Sequence, residues 1–159
     1  MRLSRLALLT AALSAISVPA FADATIFIGT NTSPGNRAAK GFAVGISLLI
    51  VGFEFEYSST SEDLEQAAPS LRTGMGNVYV QTPIAIAGIR PYFTTGVGGY
   101  RERLDTIQET NIGFNTGGGA KVSLAGPLRA RFDYRVFNLR GDPLHSVAHR
   151  LYAGLNLAF

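Results

Sequence analysis

Four stretches of this chain alternate apolar with polar or small residues at a period of two, and that rhythm leaves few folds open. Phe42, Val44, Ile46 and Leu48 alternate with Ala43, Gly45 and Ser47, and Phe53, Phe55 and Tyr57 with Glu54 and Glu56. Leu128, Ala130, Phe132, Tyr134 and Val136 alternate with Arg129, Arg131, Asp133 and Arg135. Leu151, Ala153, Leu155, Leu157 and Phe159 alternate with Tyr152, Gly154, Asn156 and Ala158. A period of two belongs to strands whose faces meet unlike surroundings. Helical membrane spans are excluded: the longest apolar run, Gly41–Phe53, is thirteen residues with three glycines and a serine, against the roughly 20 that a span needs.

The pattern predicts eight strands, near Thr25–Asn31, Lys40–Leu48, Val51–Ser59, Thr73–Thr82, Arg90–Arg101, Asn111–Leu124, Leu128–Leu139 and His149–Phe159. Tight connections fall at Leu49–Ile50, Pro83–Ile89 and Ala125-Gly126-Pro127. Longer polar ones fall at Thr32–Ala39, Thr60–Arg72, Glu102–Thr110 and Arg140–Ala148. Short turns on one rim and long loops on the other are the habit of a transmembrane β-barrel, whose tilted strands cross the bilayer in about ten residues. Leu48-Leu49-Ile50-Val51 lacks any Gly, Asn, Asp or Pro for its turn, but the outward positions change parity across it, so the chain must reverse there. Many glycines fall inside strands, including Gly96, Gly98, Gly113, Gly117 and Gly119, where they suit tight curvature and a crowded interior. The expected fold is therefore all-β: an eight-stranded antiparallel up-and-down transmembrane barrel.

Residues 1–22 read as a cleavable export signal and residues 23–159 as one barrel domain. Arg2 and Arg5 make a basic start, Leu6–Val18 is mostly apolar, and Ala20-Phe21-Ala22 is a small-x-small cleavage site that leaves Asp23 first. Removing the two leader arginines leaves twelve basic against eleven acidic residues, so no basic stripe for nucleic acid remains. The chain has no cysteine, which excludes a disulfide scaffold and thiolate metal sites.

In a membrane barrel the apolar face meets lipid and the interior is polar. The polar faces here carry Glu54, Glu56, Lys121, Arg129, Arg131, Asp133 and Arg135 at mid-strand. An eight-stranded barrel is just wide enough for side chains to fill it, and strands three and seven lie on opposite walls. These charges are expected to form an ion-pair plug across the lumen, helped by Asn77, Gln81, Asn115 and Tyr152. A gate that passes small ions is the sharper alternative.

The carboxyl end LYAGLNLAF, with Leu155, Leu157 and the terminal Phe159, resembles the assembly signal of bacterial outer-membrane β-barrels. NVYVQTP, RPYFTTGVGGYRER and GFNTGGGAKVSL with LRARFDYRVFNLRG resemble the small OmpA-like or opacity-type barrel domain over Ala24–Phe159. The peptidoglycan-binding domain that follows some of these barrels has no counterpart here. The resemblance implies an outer-membrane address and no cofactor. It implies as partners outer-membrane lipid and lipopolysaccharide, periplasmic chaperones and the barrel-assembly machinery.

Sites of chemistry are sparse. His145 and Ser146, with Asp142 nearby, invite a hydrolase reading, but neighbouring residues on a strand point to opposite faces and poorly satisfy a nucleophile–base contact. Two histidines without a carboxylate cluster make a poor metal site. Arg140, Gly141 and Asp142 form an RGD tripeptide in the fourth long loop, a possible adhesive contact as well as plain turn chemistry. Glu62, Asp63 and Glu65 offer a cation- or lipopolysaccharide-bridging surface, with simple solvation preferred. Gly117-Gly118-Gly119 lacks the lysine and strand–loop–helix setting of a phosphate loop. The expected role is non-enzymatic, structural or adhesive, exercised through the loops. Its rivals are a narrow ion pore, a lipid-modifying outer-membrane enzyme and a soluble periplasmic lipocalin-like carrier.

Overall fold

The computed structural model describes residues 20–159. Eight strands run in chain order: β1 (Ala20–Asn31), β2 (Arg37–Leu48), β3 (Val51–Thr60), β4 (Ser70–Gln81), β5 (Ile89–Leu104), β6 (Ile107–Ala125), β7 (Leu128–Leu139) and β8 (Val147–Ala158). Each pairs antiparallel with the next, and β8 returns to β1 to close the barrel. Closure removes every sheet edge and satisfies the backbone internally, the condition for a strand protein in hydrocarbon.

The barrel is inside out relative to a soluble protein. Ile26, Ile28, Phe42, Val44, Ile46, Phe53, Phe55, Val78, Phe93, Phe132, Leu151 and Leu155 all stand exposed on the outer wall. The inner positions of the same strands carry the buried Glu54, Glu56, Lys121, Arg131, Asp133 and Arg135. A lipocalin-like carrier would place these faces the other way round, so the inverted distribution rules out that alternative. Among the described residues no helix is long and apolar enough to span a membrane.

Four expectations about segment boundaries are corrected. β1 begins at Ala20 rather than Thr25, so the expected cleavage site Ala20-Phe21-Ala22 starts a strand that pairs with Leu48, Ser47 and Ile46. The rest of the expected leader, residues 1–19, lies outside the described residues. The expected loop Glu102–Thr110 is strand: β5 and β6 continue as a ladder to Leu104↔Ile107 and turn on Asp105-Thr106 alone. Alternation breaks down there because the outward side of this extension is polar, and a polar run reads as loop. The other long connections shorten to residues 32–36, 61–69 and 140–146, and the expected tight turn at Pro83–Ile89 is a seven-residue connection, residues 82–88.

The turn with no turn residues exists. Leu48 pairs with Val51, Leu49 takes φ 58°, and the Ile50 N–H donates to the Leu48 carbonyl at 2.6 Å, which makes Leu49 the centre of a γ-turn.

Interior glycines are matched to interior tyrosines. A Cβ on Gly52 would sit 2.2 Å from the Tyr79 ring, and one on Gly119 would sit 2.6 Å from the Tyr92 hydroxyl. Gly52 is the register partner of Tyr79, and Gly119 of Tyr92. Each ring lies over the glycine of a neighbouring strand, which lets two large side chains share a narrow lumen.

Candidate functional site

Four buried cations and four buried anions interlock in the lower and middle lumen: Lys121, Arg131, Arg135 and Arg150 with Asp23, Glu54, Glu56 and Asp133. Lys121 on β6 meets Asp23 on β1 at 2.5 Å. Arg131 on β7 grips Glu54 on β3 at two points, one of them Nη2 to Oε1 at 3.1 Å. Arg135 donates from Nε to Asp133 at 2.9 Å and from Nη2 to Glu54 at 2.9 Å, and its Nη1 lies 3.1 Å from Glu56. Arg150 on β8 pairs with Glu56 and donates to the Ser58 hydroxyl at 2.5 Å.

Tyrosines complete the shell. The Tyr92 hydroxyl donates to Asp133 and accepts from Arg131 Nε at 2.8 Å. Tyr152 stacks on Phe27 at 4.1 Å between centroids, and the Arg150 guanidinium lies 4.6 Å from the Phe137 ring centre. Buried charges are tolerated when paired and hydrogen-bonded on most sides, and here the opposite signs balance within the barrel.

Above this network an apolar cluster shares the lumen with the buried Asn31, Arg37, Thr60 and Glu102. Leu71, Met75, Tyr100, Phe137, Leu139 and Ala148 form one buried cluster beneath the long-loop rim. Sequence reasoning expected a polar interior throughout and missed it. Leu71 and Met75 share the inward parity of Asn77 and Gln81, and that was the available signal.

The structure brings together Glu54, Glu56, Arg131, Asp133 and Arg135, and joins Lys121 through Asp23. Asn77 accepts from Asn115 at 2.8 Å within the same interior, and Tyr152 donates to Glu56 at 3.4 Å. Gln81 sits lower, bonding the Leu49 carbonyl at 3.3 Å. Arg129 is a correction: it is half-buried at the short-turn rim and forms no ion pair among the described residues. It lies one inward step below Arg131, where the lumen opens to solvent. Two partners were missed. Asp23 lies at the expected cleavage boundary and Arg150 at the strand margin, although both have the inward parity of their strands.

The loop candidates are held by their own backbone contacts. Asp63 accepts from the Glu65 and Gln66 N–H groups at 3.1 and 3.2 Å, and Glu62 from the Asp105 N–H at 2.7 Å. No group of three metal-ligating side chains occurs among the described residues. Arg140 donates its N–H to the Ile112 carbonyl at 3.0 Å and accepts from the Tyr100 hydroxyl at 2.6 Å. Its guanidinium lies 5.8 Å from the Phe114 ring centre, folded against the wall. Gly141 has φ 91° and no room for a Cβ beside Asn111 and Glu109. His145, Ser146 and Asp142 share no hydrogen bond among the described residues; the Ser146 carbonyl instead accepts from the Leu139 N–H at 2.8 Å. His149 pairs with the Tyr134 hydroxyl at 2.7 Å on the outer wall. Leu155 and Leu157 face outward on β8 and pair with Ile26 and Ala24 at the closing seam, and Phe159 exchanges backbone hydrogen bonds with Ala22.

The chain matches no protein-family model and no curated protein. Solved structures do match in fold. Neisserial surface protein A superposes with a TM-score of 0.69 at 14% identity, covering 88% of this chain and 97% of that one. Ail, the attachment invasion locus protein of Yersinia pestis, solved with the heparin analogue sucrose octasulfate, gives 0.53 at 10% identity over 88% and 98%. The outer-membrane enzyme PagL gives 0.53 at 10% identity over 85% and 98%. A surface protein and an enzyme thus share this architecture, so the fold alone does not choose between those roles. In fold the chain is a small eight-stranded transmembrane β-barrel of the bacterial outer-membrane type.

Proposed function

We propose that the mature chain, exported by its leader and cut after Ala22, is a non-enzymatic outer-membrane barrel with a sealed lumen that works through its long-loop rim. The observation carrying this reading is the balanced network of four cations and four anions beneath an apolar cluster. Paired side chains filling the interior in this way support a closed lumen. Interaction with other surfaces then falls to loops 32–36, 61–69 and 140–146 and the β5–β6 tip, with Arg140, Gly141 and Asp142 on the last loop. The similarity in fold to Ail, an attachment invasion locus protein, supports an adhesion-type reading for this chain. Leu155, Leu157 and Phe159 serve as the signal for the assembly machinery.

The test compares adhesion to host cells by bacteria expressing the wild-type barrel with that of strains in which each loop is replaced by a short glycine-containing turn. Reduced binding with barrel insertion intact supports the reading, and Asp142→Glu isolates the tripeptide. Unchanged binding in every loop variant overturns the adhesive role.

A further inference from the structure

Arg72 on β4 and Arg101 on β5 are direct register partners on the outer wall, and the same row continues to Ser59 and Lys40 on one side and Thr110 on the other. These three basic or hydroxyl positions lie with the pair on the long-loop side of the outer wall. Like charges directly opposite on a sheet destabilise it. Among the described residues neither Arg72 nor Arg101 has a carboxylate in ion-pair range, and Arg103, one outward step further, meets Glu62 only at 3.8 Å. Arg101 spends its Nε on the Thr110 hydroxyl at 3.3 Å. With Ser59, Ser70, Arg103 and the carboxylate Glu62, which faces Arg103, the pair lines a polar cleft of about 280 Å³.

A second feature lies directly below. The outward positions one step toward the membrane centre are Gly74 and Gly99, again register partners, followed by Gly76 beside Val97. Neither crowding nor backbone geometry demands glycine there. A Cβ on Gly99 would meet nothing within 4 Å, the nearest atom to one on Gly74 is the Phe55 ring at 4.0 Å, and none of the three has a positive φ. This differs from Gly96 and Gly98, where a Cβ would strike the neighbouring strand at 2.1 and 1.9 Å. The result is a trough in the lipid-facing wall, between Tyr57 and Phe55 on β3 and Ile112 and Phe114 on β6.

We propose that this wall binds a phosphorylated glycolipid of the outer leaflet, its phosphate gripped by Arg72 and Arg101 and an acyl chain lying in the trough over Gly74 and Gly99. Guanidinium forks match phosphate oxygens two at a time, and an anion between the two arginines turns their mutual repulsion into a shared attraction. The apolar trough directly beneath separates this ligand from a soluble polyanion, which would use the arginines and not the glycines. The site rests on the membrane orientation proposed above but not on any loop contact, so loss of adhesion and loss of lipid binding are separable results.

The test uses the folded full barrel immobilised in neutral detergent and three probes: lipid A carrying both phosphates, the same lipid after phosphatase treatment, and sucrose octasulfate. Phosphorylated lipid A is expected to bind about tenfold more tightly than its dephosphorylated form, as expected for loss of charge-assisted hydrogen bonds. Arg72→Gln with Arg101→Gln should remove that difference, while Arg90→Gln, near the opposite rim, should not. Gly99→Leu should weaken lipid A and leave sucrose octasulfate unaffected. Equal binding of the two lipid forms to the wild-type barrel, or full affinity in the double arginine variant, overturns the proposal. So does tighter binding of sucrose octasulfate with no effect of Gly99→Leu. Each variant is first checked for the gel shift of a folded barrel.

Discussion

Glu54 and Arg131 face each other across the full width of the lumen, from opposite walls β3 and β7, as a two-point ion pair with Nη2 to Oε1 at 3.1 Å. Glu54 also accepts from Arg135 at 2.9 Å, so a single carboxylate anchors two guanidinium groups, each 1% exposed or less. Removing its charge leaves Arg131 with Asp133, and Arg135 with Asp133 and Glu56, one buried negative charge short.

Glu54→Gln should therefore destabilise the barrel by about 3–5 kcal/mol, the cost of leaving buried charge uncompensated. The double variant Glu54→Gln, Arg131→Met should recover a large part of that loss, because it restores the balance of buried charge. Urea unfolding of the refolded barrel in lipid vesicles measures both, and additive losses would refute the coupling.

The lumen network predicts silence in planar bilayers. Wild-type protein should give no discrete conductance steps, since four ion pairs and an apolar cluster occupy the path. Steps in the wild-type protein that grow in a Glu54→Ala, Glu56→Ala variant would instead establish the gate.

Gly52→Ala should cost about 1–3 kcal/mol as an overpacking change, because its Cβ would lie 2.2 Å from the Tyr79 ring. Tyr79→Ala in the same chain should relieve the clash. Gly99→Ala, with nothing within 4 Å, should leave stability unchanged. The midpoint of the heat-induced gel shift reads all three.

At the β2–β3 turn, Leu49 holds φ 58°, a conformation that costs a side-chain-bearing residue roughly 1–2 kcal/mol. Leu49→Gly should stabilise the barrel by up to about 1 kcal/mol, since glycine takes positive φ without the side-chain cost. A lowered unfolding midpoint would show that the Leu49 side chain earns its place through lipid contact.

A closed barrel with this lipid-facing wall should also resist cold detergent on a denaturing gel and change mobility on boiling. An unshifted, detergent-independent protein would contradict the outward placement of Phe42, Phe53 and Phe132.

How much was legible depended on where each residue sits along its strand. At mid-strand, as at Glu54, Arg131 and Asp133, alternation extends on both sides and assigns the face without ambiguity. At strand ends it has a neighbour on one side only. Asp23 and Arg150 are as deeply committed to the network, yet the first adjoins the expected leader and the second a loop. Arg129 illustrates the converse error: its parity is inward, but parity does not tell depth, and one step nearer the rim it meets solvent. The polar β5–β6 extension read as a loop because outside the bilayer no lipid requires an apolar outer face.

Taken by itself, the sequence determined the number of strands, the face on which each mid-strand side chain stands and the reversal at Leu49–Ile50, because lipid on one side and a crowded lumen on the other impose a period of two. Only the tertiary structure decided which charges meet. Partners such as Glu56 and Arg150 lie 94 positions apart in the chain, and their contact follows from closure and strand register, which place them at one depth. The same register sets Arg72 beside Arg101 and Gly74 beside Gly99, relationships with no local signature because each half is an ordinary residue on an ordinary strand.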